Sequence, residues 1–303
     1  MKNRKLRFSV FHIQGNYQYV ERYTSMKNKI LTVFIVLILA AGVGMLSYPA
    51  ISNLFHEMNQ SNAISGYKES LEDLSKDKIR AMKEDAKEYN DKLIGTVVLT
   101  DPFDPQALNK LNSDYWNLLN PAQDGVMGYI DIPKIKVHQV VYHGTGEEEL
   151  RKGVGHLENS SLPIGGNGTH SIISGHTGLP TAKIFTDLEE IKEGDLFYLH
   201  VLDEILAYKV DKIKVVEPSD TGDFVIDMKK DYVTLVTCTP YGVNSHRLLI
   251  RGERTKYIEP LIKESAQEDN RYIWVIWLGV VGGVCVFGGA AAIIRHRIKK
   301  KVR

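Results

Sequence analysis

Tyr232-Val233-Thr234-Leu235-Val236-Thr237-Cys238-Thr239-Pro240-Tyr241-Gly242-Val243-Asn244-Ser245-His246-Arg247-Leu248-Leu249-Ile250-Arg251-Gly252 reads as strand, turn and strand. The first run is β-branched, aromatic and aliphatic with no Gly or Pro, the composition of a strand. Alternation along it puts Cys238 on one face with Val236 and Thr234. Pro240 and Gly242 then end the strand and leave the thiol at its mouth. The second strand begins near Arg247, so if the two strands are neighbours, a cation stands close to the thiol. A nearby cation lowers a thiol's pKa from about 8.5 and favours the nucleophilic thiolate. Taken alone, a single cysteine in a strand is equally well a small apolar filler.

Outward from this hairpin the same texture continues. Short β-rich runs at Tyr129 to Ile132, Val137 to Tyr142, Ser171 to Ser174, Leu196 to Leu202 and Ala207 to Val215 are punctuated by Gly and Pro. Seven or eight such strands predict a closed barrel or a sandwich, with one short helix at Lys183 to Ile191. Upstream, Ile64, Tyr67, Leu71, Leu74, Ile79, Met82, Ala86, Tyr89 and Leu93 recur mostly at threes and fours, an amphipathic helix. Between them lies the less regular stretch 96–128, where Asp101-Pro102-Phe103-Asp104-Pro105 excludes regular helix or central strand and must be a loop.

His176 sits in Ser174-Gly175-His176-Thr177-Gly178-Leu179-Pro180, directly after an apolar strand, with glycines that let the backbone come close and leave the imidazole accessible. His138, His143, His156, His170 and His200 read as surface or hydrogen-bonded core histidines. No His, Cys or acidic set shows metal-ligand spacing, so no metal and no other cofactor is expected.

The chain has 303 residues, 38 Lys and Arg against 37 Asp and Glu, and a formal net charge of +1, which gives no sign of a nucleic-acid partner. Two runs carry no charge at all, Ile30 to Pro49 and Ile273 to Ile294. Roughly 20 residues of helix cross the about 30 Å hydrocarbon core of a bilayer, so both read as transmembrane helices in contact with lipid. Ala40, Ala41, Gly42 and Gly44 leave open a cleaved signal peptide for the first. Arg22, Lys27 and Lys29 before the first run, and Arg295 to Arg303 after the second, predict both termini on the cytoplasmic side and the intervening region outside. Met26, directly before the basic flank, is a candidate start. Of the two cysteines, Cys285 lies in the second run and Cys238 is alone in the external region. No disulfide framework is possible there, and a lone extracellular thiol calls for a chemical reason.

The order His, Cys, Arg, in SGHTGLP (Ser174 to Pro180) and TLVTCTPYGVNSHRLLIRG (Thr234 to Gly252), resembles the sortase family, and the wording resembles its class C, pilus-assembling members. The likeness extends through Gly153 to Gly166, Ala182 to Asp195 and Lys214 to Asp220. The resemblance implies a mainly β fold, a sortase-like closed β-barrel with peripheral helices, plus two transmembrane helices. It implies a membrane-held cysteine transpeptidase that cleaves a Leu-Pro-x-Thr-Gly-like sorting signal through a thioester on Cys238 and joins the Thr carbonyl to a pilin lysine amine. Its partners would be pilin or surface-protein substrates, with His176 as acid and base and Arg247 as donor to the oxyanion or substrate backbone. Asp101, Pro102 and Phe103 would form a lid, Phe103 in the apolar groove and Asp101 against Arg247. No third carboxylate is identified. A papain-like hydrolase fits less well, because there the cysteine precedes the histidine, and a non-enzymatic scaffold predicts an inert thiol.

The implied organisation is a cytoplasmic segment 1–29, a span 30–49, a helical and lid-bearing region 50–127, a catalytic barrel 128–260, a linker 261–272, a span 273–294 and a basic tail 295–303.

Overall fold

The computed structural model describes residues 2–94, 100–104 and 114–258. The chain divides into two units, Met1–Tyr48 with Asn270–Arg303, and Pro49–Asp269. In the first, the described residues belong to the helix α1 (Lys2–Glu72), which over Met26–Glu72 is long and apolar enough to cross a membrane. The second predicted span, Ile273 to Ile294, lies outside the described residues.

In the second unit eight strands close into a barrel: β1 (Val126–Ile132), β2 (Val137–His143), β3 (Val154–His156), β4 (Thr169–Ser174), β5 (Leu196–Val201), β6 (Glu204–Val216), β7 (Asp231–Thr239) and β8 (His246–Thr255). Around the barrel they run β1-β2-β3-β4-β7-β8-β6-β5, and β5 returns to β1. The pairs β2–β3 and β4–β7 are parallel and the rest antiparallel. Closure leaves no free sheet edge, which removes the unpaired N–H and C=O groups that an open sheet exposes.

Alternation along the strands sends Ile130, Ile132, Ile173, Leu199, Val233, Leu235 and Ile250 into one contiguous core, each at most 1% exposed. Burying a side chain of this kind contributes about 1.5–3 kcal/mol, so the interior is the main source of stability. Gly252 is glycine for a packing reason, since a Cβ there would lie 2.6 Å from the ring of Phe197.

The predicted strands all form, several with longer ends. The predicted helix at Lys183 to Ile191 does not form; only a single 3₁₀ turn appears, at Leu188–Glu190. The backbone there is committed elsewhere, because Phe185 N–H donates to His176 O at 3.0 Å and Lys183 N–H donates to Asn53 Oδ1 at 2.9 Å. The predicted amphipathic helix from Ile64 to Leu93 is two helices. α1 ends at Glu72, Ser75 caps a fresh start by accepting from Lys78 N–H, and α2 (Lys76–Leu93) follows. Ser is a favoured residue at that cap, since its hydroxyl satisfies a donor that has no partner inside the helix. The first predicted span stops at Pro49, whereas α1 continues past it, because its next turns bury Asn53, Gln60, Ile64 and Tyr67. A short helix not anticipated from the sequence, α3 (Glu147–Lys152), leads into β3.

Gln60 of α1 is 3% exposed. Its Oε1 accepts from Val140 N–H at 2.7 Å, and its Nε2 donates to Lys152 O. Val140 directly precedes the first residue of β2 that pairs with β3, and Lys152 lies two residues before β3 starts. The carboxamide therefore supplies a rung where the two strands splay and their own groups cannot meet. Leaving a buried N–H or C=O unsatisfied costs about 1–3 kcal/mol. Gln60→Ala should destabilise the Pro49–Asp269 unit by about 2 kcal/mol, read as a lower midpoint in denaturant at unchanged slope.

Candidate active site

Two strand pairings build the site. β4 and β7 run parallel in register, Ser174 beside Val236. Beyond the last rung Gly175 N–H still donates to Val236 O at 3.0 Å, and Thr237 Oγ1 donates back to Gly175 O at 2.7 Å. The next residue, His176, is thereby delivered alongside the end of β7. Gly175 permits this approach, because a Cβ at that position would lie 2.7 Å from the Phe185 ring. On the other side β7 pairs with β8, and Cys238 is the cross-strand partner of Arg247. Side chains directly opposite in an antiparallel pair stand about 4.5–5.5 Å apart at Cβ. The cation expected near the thiol is therefore placed by the register of the hairpin.

The turn between the strands is closed by Pro240 O, which accepts from Val243 and Asn244 N–H, both at 3.0 Å, with a cis peptide before Pro240 and Asn244 left-handed at φ 59°. Asn tolerates that conformation better than most residues. Thr239 Oγ1 donates to Glu189 Oε1 at 2.6 Å and ties the end of β7 to the 3₁₀ turn.

Thr100 to Asp104 crosses this face. Asp101 and Arg247 form a forked ion pair, Nε to Oδ1 at 2.9 Å and Nη2 to Oδ2 at 2.6 Å. Its two side chains are only 13% and 11% exposed. Charge-assisted bidentate bonds of this kind are the strong ones. Asp101 O also accepts from Asp104 N–H at 3.0 Å, which folds the segment into a turn with Pro102 buried. Phe103 packs on an apolar cluster of Leu157, Ile172, Val216, Phe224, Val236 and Leu249. Its ring is 5.8 Å from that of His176, and the Arg247 guanidinium lies 5.0 Å over it. All six sequence-predicted site residues, Asp101, Pro102, Phe103, His176, Cys238 and Arg247, thus lie in one neighbourhood on the outside of the barrel.

The electrostatics follow from this arrangement. Cys238 is half-buried, and burial raises its pKa above the ordinary value; Arg247 pulls it down and Asp101 pushes it up again. Burial likewise lowers the pKa of His176, against the opposing pull of Glu147. With Asp101 in place the guanidinium is already paired, so its effect on the thiol is partly cancelled.

Glu147 is the group that sequence reasoning missed. Its Oε2 lies 3.4 Å from His176 Nε2, although no third carboxylate was identifiable from spacing. Glu147, Glu148 and Glu149 form the acidic first turn of α3, and only the tertiary fold brings Glu147 near the imidazole. Of the histidines read as surface or core residues, His143, His156 and His170 are buried and hydrogen-bonded on both ring nitrogens.

The Sortase domain family matches residues 130–255. Sortase D of Bacillus subtilis is 30% identical over 152 residues, covering 49% of this chain and 71% of its own. The crystal structure of sortase C-1 from Streptococcus pneumoniae superposes with TM-score 0.61 at 45% identity, covering 65% of this chain and 100% of that one. Streptococcus agalactiae sortase C1 gives TM-score 0.59 at 40% identity, covering 65% and 96%. A thiol beside a register-paired guanidinium, an imidazole just past the end of the adjoining parallel strand and these likenesses together identify the chain as a member of the sortase family, a cysteine transpeptidase of class C.

Proposed function

We propose that this transpeptidase is membrane-anchored and polymerises pili, with Cys238, His176 and Arg247 as its catalytic residues and Asp101, Pro102 and Phe103 as a lid. In the first step the Cys238 thiolate attacks the Thr carbonyl of a Leu-Pro-x-Thr-Gly-like sorting signal on a pilin or surface protein. A C–S bond forms, the Thr–Gly C–N bond breaks, and His176 gives its proton to the departing amine. In the second step a pilin lysine amine attacks the thioester carbonyl. The new C–N bond forms as the C–S bond breaks, His176 takes the amine's proton, and the thiolate is restored. Arg247 donates to the developing oxyanion or to the substrate backbone once its fork of N–H groups is released from Asp101.

The observation that carries this reading is the buried Asp101–Arg247 pair beside the thiol. A carboxylate in that position holds the one cation near Cys238 among the described residues that opposes the thiol's raised pKa, and Phe103 fills the apolar groove on the face of Val236 and Cys238. Substrate must displace both. A structural neighbour described for its pilin substrate specificity, sortase C of Streptococcus pneumoniae, supports a pilin as substrate. The apolar stretch within α1 supports an anchor. We assign the second span to Ile273–Ile294, both termini to the cytoplasmic side, and the barrel, from β1 at Val126 to the end of β8 at Thr255, to the outside.

Cys238→Ala should abolish covalent joining of a pilin bearing the sorting signal, seen as loss of high-mass products in denaturing gels. Asp101→Ala should free Arg247 to act on the thiol and loosen Phe103. The pH midpoint for alkylation of Cys238 by iodoacetamide should then move to lower pH, and the rate at pH 7 should rise about tenfold, the equivalent of one pKa unit. An alkylation profile identical to that of the unaltered chain would remove the lid from the proposal.

A further inference from the structure

The contact between Glu147 and His176 is built into the fold. Glu147 sits in the first turn of α3, and the helix is anchored from its middle to its C-terminal end. Its Leu150 is 2% exposed against the barrel, and Lys152 O at its end accepts from Gln60 of α1. The loop carrying His176 is held by the same helix, since Asn53 Oδ1 accepts from Lys183 N–H at 2.9 Å and Phe185 N–H closes on His176 O at 3.0 Å. Two buried amides, Asn53 and Gln60, are 7% and 3% exposed. They tie α3, which carries Glu147, and the loop after His176 to the same helix.

At that distance the carboxylate is poised between two partners. Glu147 Oε1 accepts from Arg151 Nε at 2.7 Å, and Oε2 faces His176 Nε2 at 3.4 Å. That nitrogen is buried, and among the described residues no hydrogen bond reaches it. A buried ring nitrogen facing an anion becomes a donor to it on protonation, and a small rotation of the Glu147 side chain closes the gap.

We propose that Glu147 is a positioning residue for the acid–base step, its carboxylate engaging Nε2 of the protonated His176 and leaving Nδ1 to exchange the proton with the departing and incoming amines. The inference rests on the reading of His176 as acid and base. It makes the Glu147–Arg151 pair a regulator of the imidazole: the carboxylate favours the charged ring, and the guanidinium competes for that carboxylate. The charged and titratable groups around the ring are Glu147 and Arg151 from α3, Cys238 from β7, Arg247 from β8, and Asp101 from the segment that carries Phe103.

The test uses the full chain in detergent micelles with histidine labelled at the ring carbon, following the His176 titration by nuclear magnetic resonance and assigning it with His176→Gln. Glu147→Gln should lower the midpoint, and Arg151→Gln, which releases the carboxylate to the ring, should raise it. Shifts of roughly half a pH unit in each direction correspond to about threefold changes in proton affinity. Turnover of a Leu-Pro-x-Thr-Gly peptide should show the acid limb of kcat/KM moving the same way in each variant. A purely structural role for Glu147 would lower activity at all pH values without these opposed shifts. Midpoints that stay put, or that move together in both variants, overturn the inference. Cys238→Ala and His176→Gln run in parallel; if they still turn over substrate, the catalytic reading fails independently of what Glu147 does.

Discussion

The parallel pairing of β4 with β7 is the constraint on which the site depends. A parallel pair cannot be joined by a tight hairpin and needs a long crossover. Here β5 and β6 occupy the intervening chain and complete the other side of the barrel. Because the two strands run the same way, their C-terminal ends emerge together, and residues far apart in sequence, His176 and Cys238, finish side by side. The antiparallel partner β8 then starts where β7 ends and brings Arg247 opposite the thiol. Three chemically distinct side chains converge because one sheet carries both kinds of pairing at adjacent positions. Apolar residues such as Ile173, Leu235 and Ile250 specify that alignment, since a slip of one residue would turn their side chains out of the core.

Much of this was legible before any coordinates. The strands are marked by runs of β-branched and aromatic residues between Gly and Pro, and the thiol's place at a strand end follows from Pro240 and Gly242. The order His, Cys, Arg and the Asp-Pro-Phe turn were readable as motifs. What was not legible depends on contacts made across the fold. β3 spans only Val154–His156, too short for periodicity to register. The segment at 183–191 has helical composition, but its backbone donors are drawn to Asn53 and His176. Glu147 looks like any surface acidic residue until β3 and β4 pair and bring α3 beside the imidazole. Gln60 is one polar residue among many on a long helix, and nothing local to it signals a missing rung between two strands.

The polar side chains of α1 give the helix a part in the chemistry that its apolar half does not suggest. His56, Gln60 and Tyr67 each reach the β1–β2 sheet, Gln60 also reaches the end of α3, and Asn53 reaches the loop after His176. Such bonds are directional, so they set the rotation of the helix about its axis as well as its position. Packing of Ile64 and Tyr67 against Val126, Tyr129 and Val140 then makes the arrangement dry.

The hairpin that carries Cys238 and Arg247 separates two properties that usually compete. The strand residues are locked in register, and a change there would dislodge thiol and cation together. The intervening turn, by contrast, exposes Tyr241 and Val243 to solvent at 63% and 68%. Lengthening a surface loop costs little, about 0.6 kcal/mol for each doubling of its length. Insertions between Pro240 and Ser245 can therefore remodel the rim beside the thiol while leaving its partner in place.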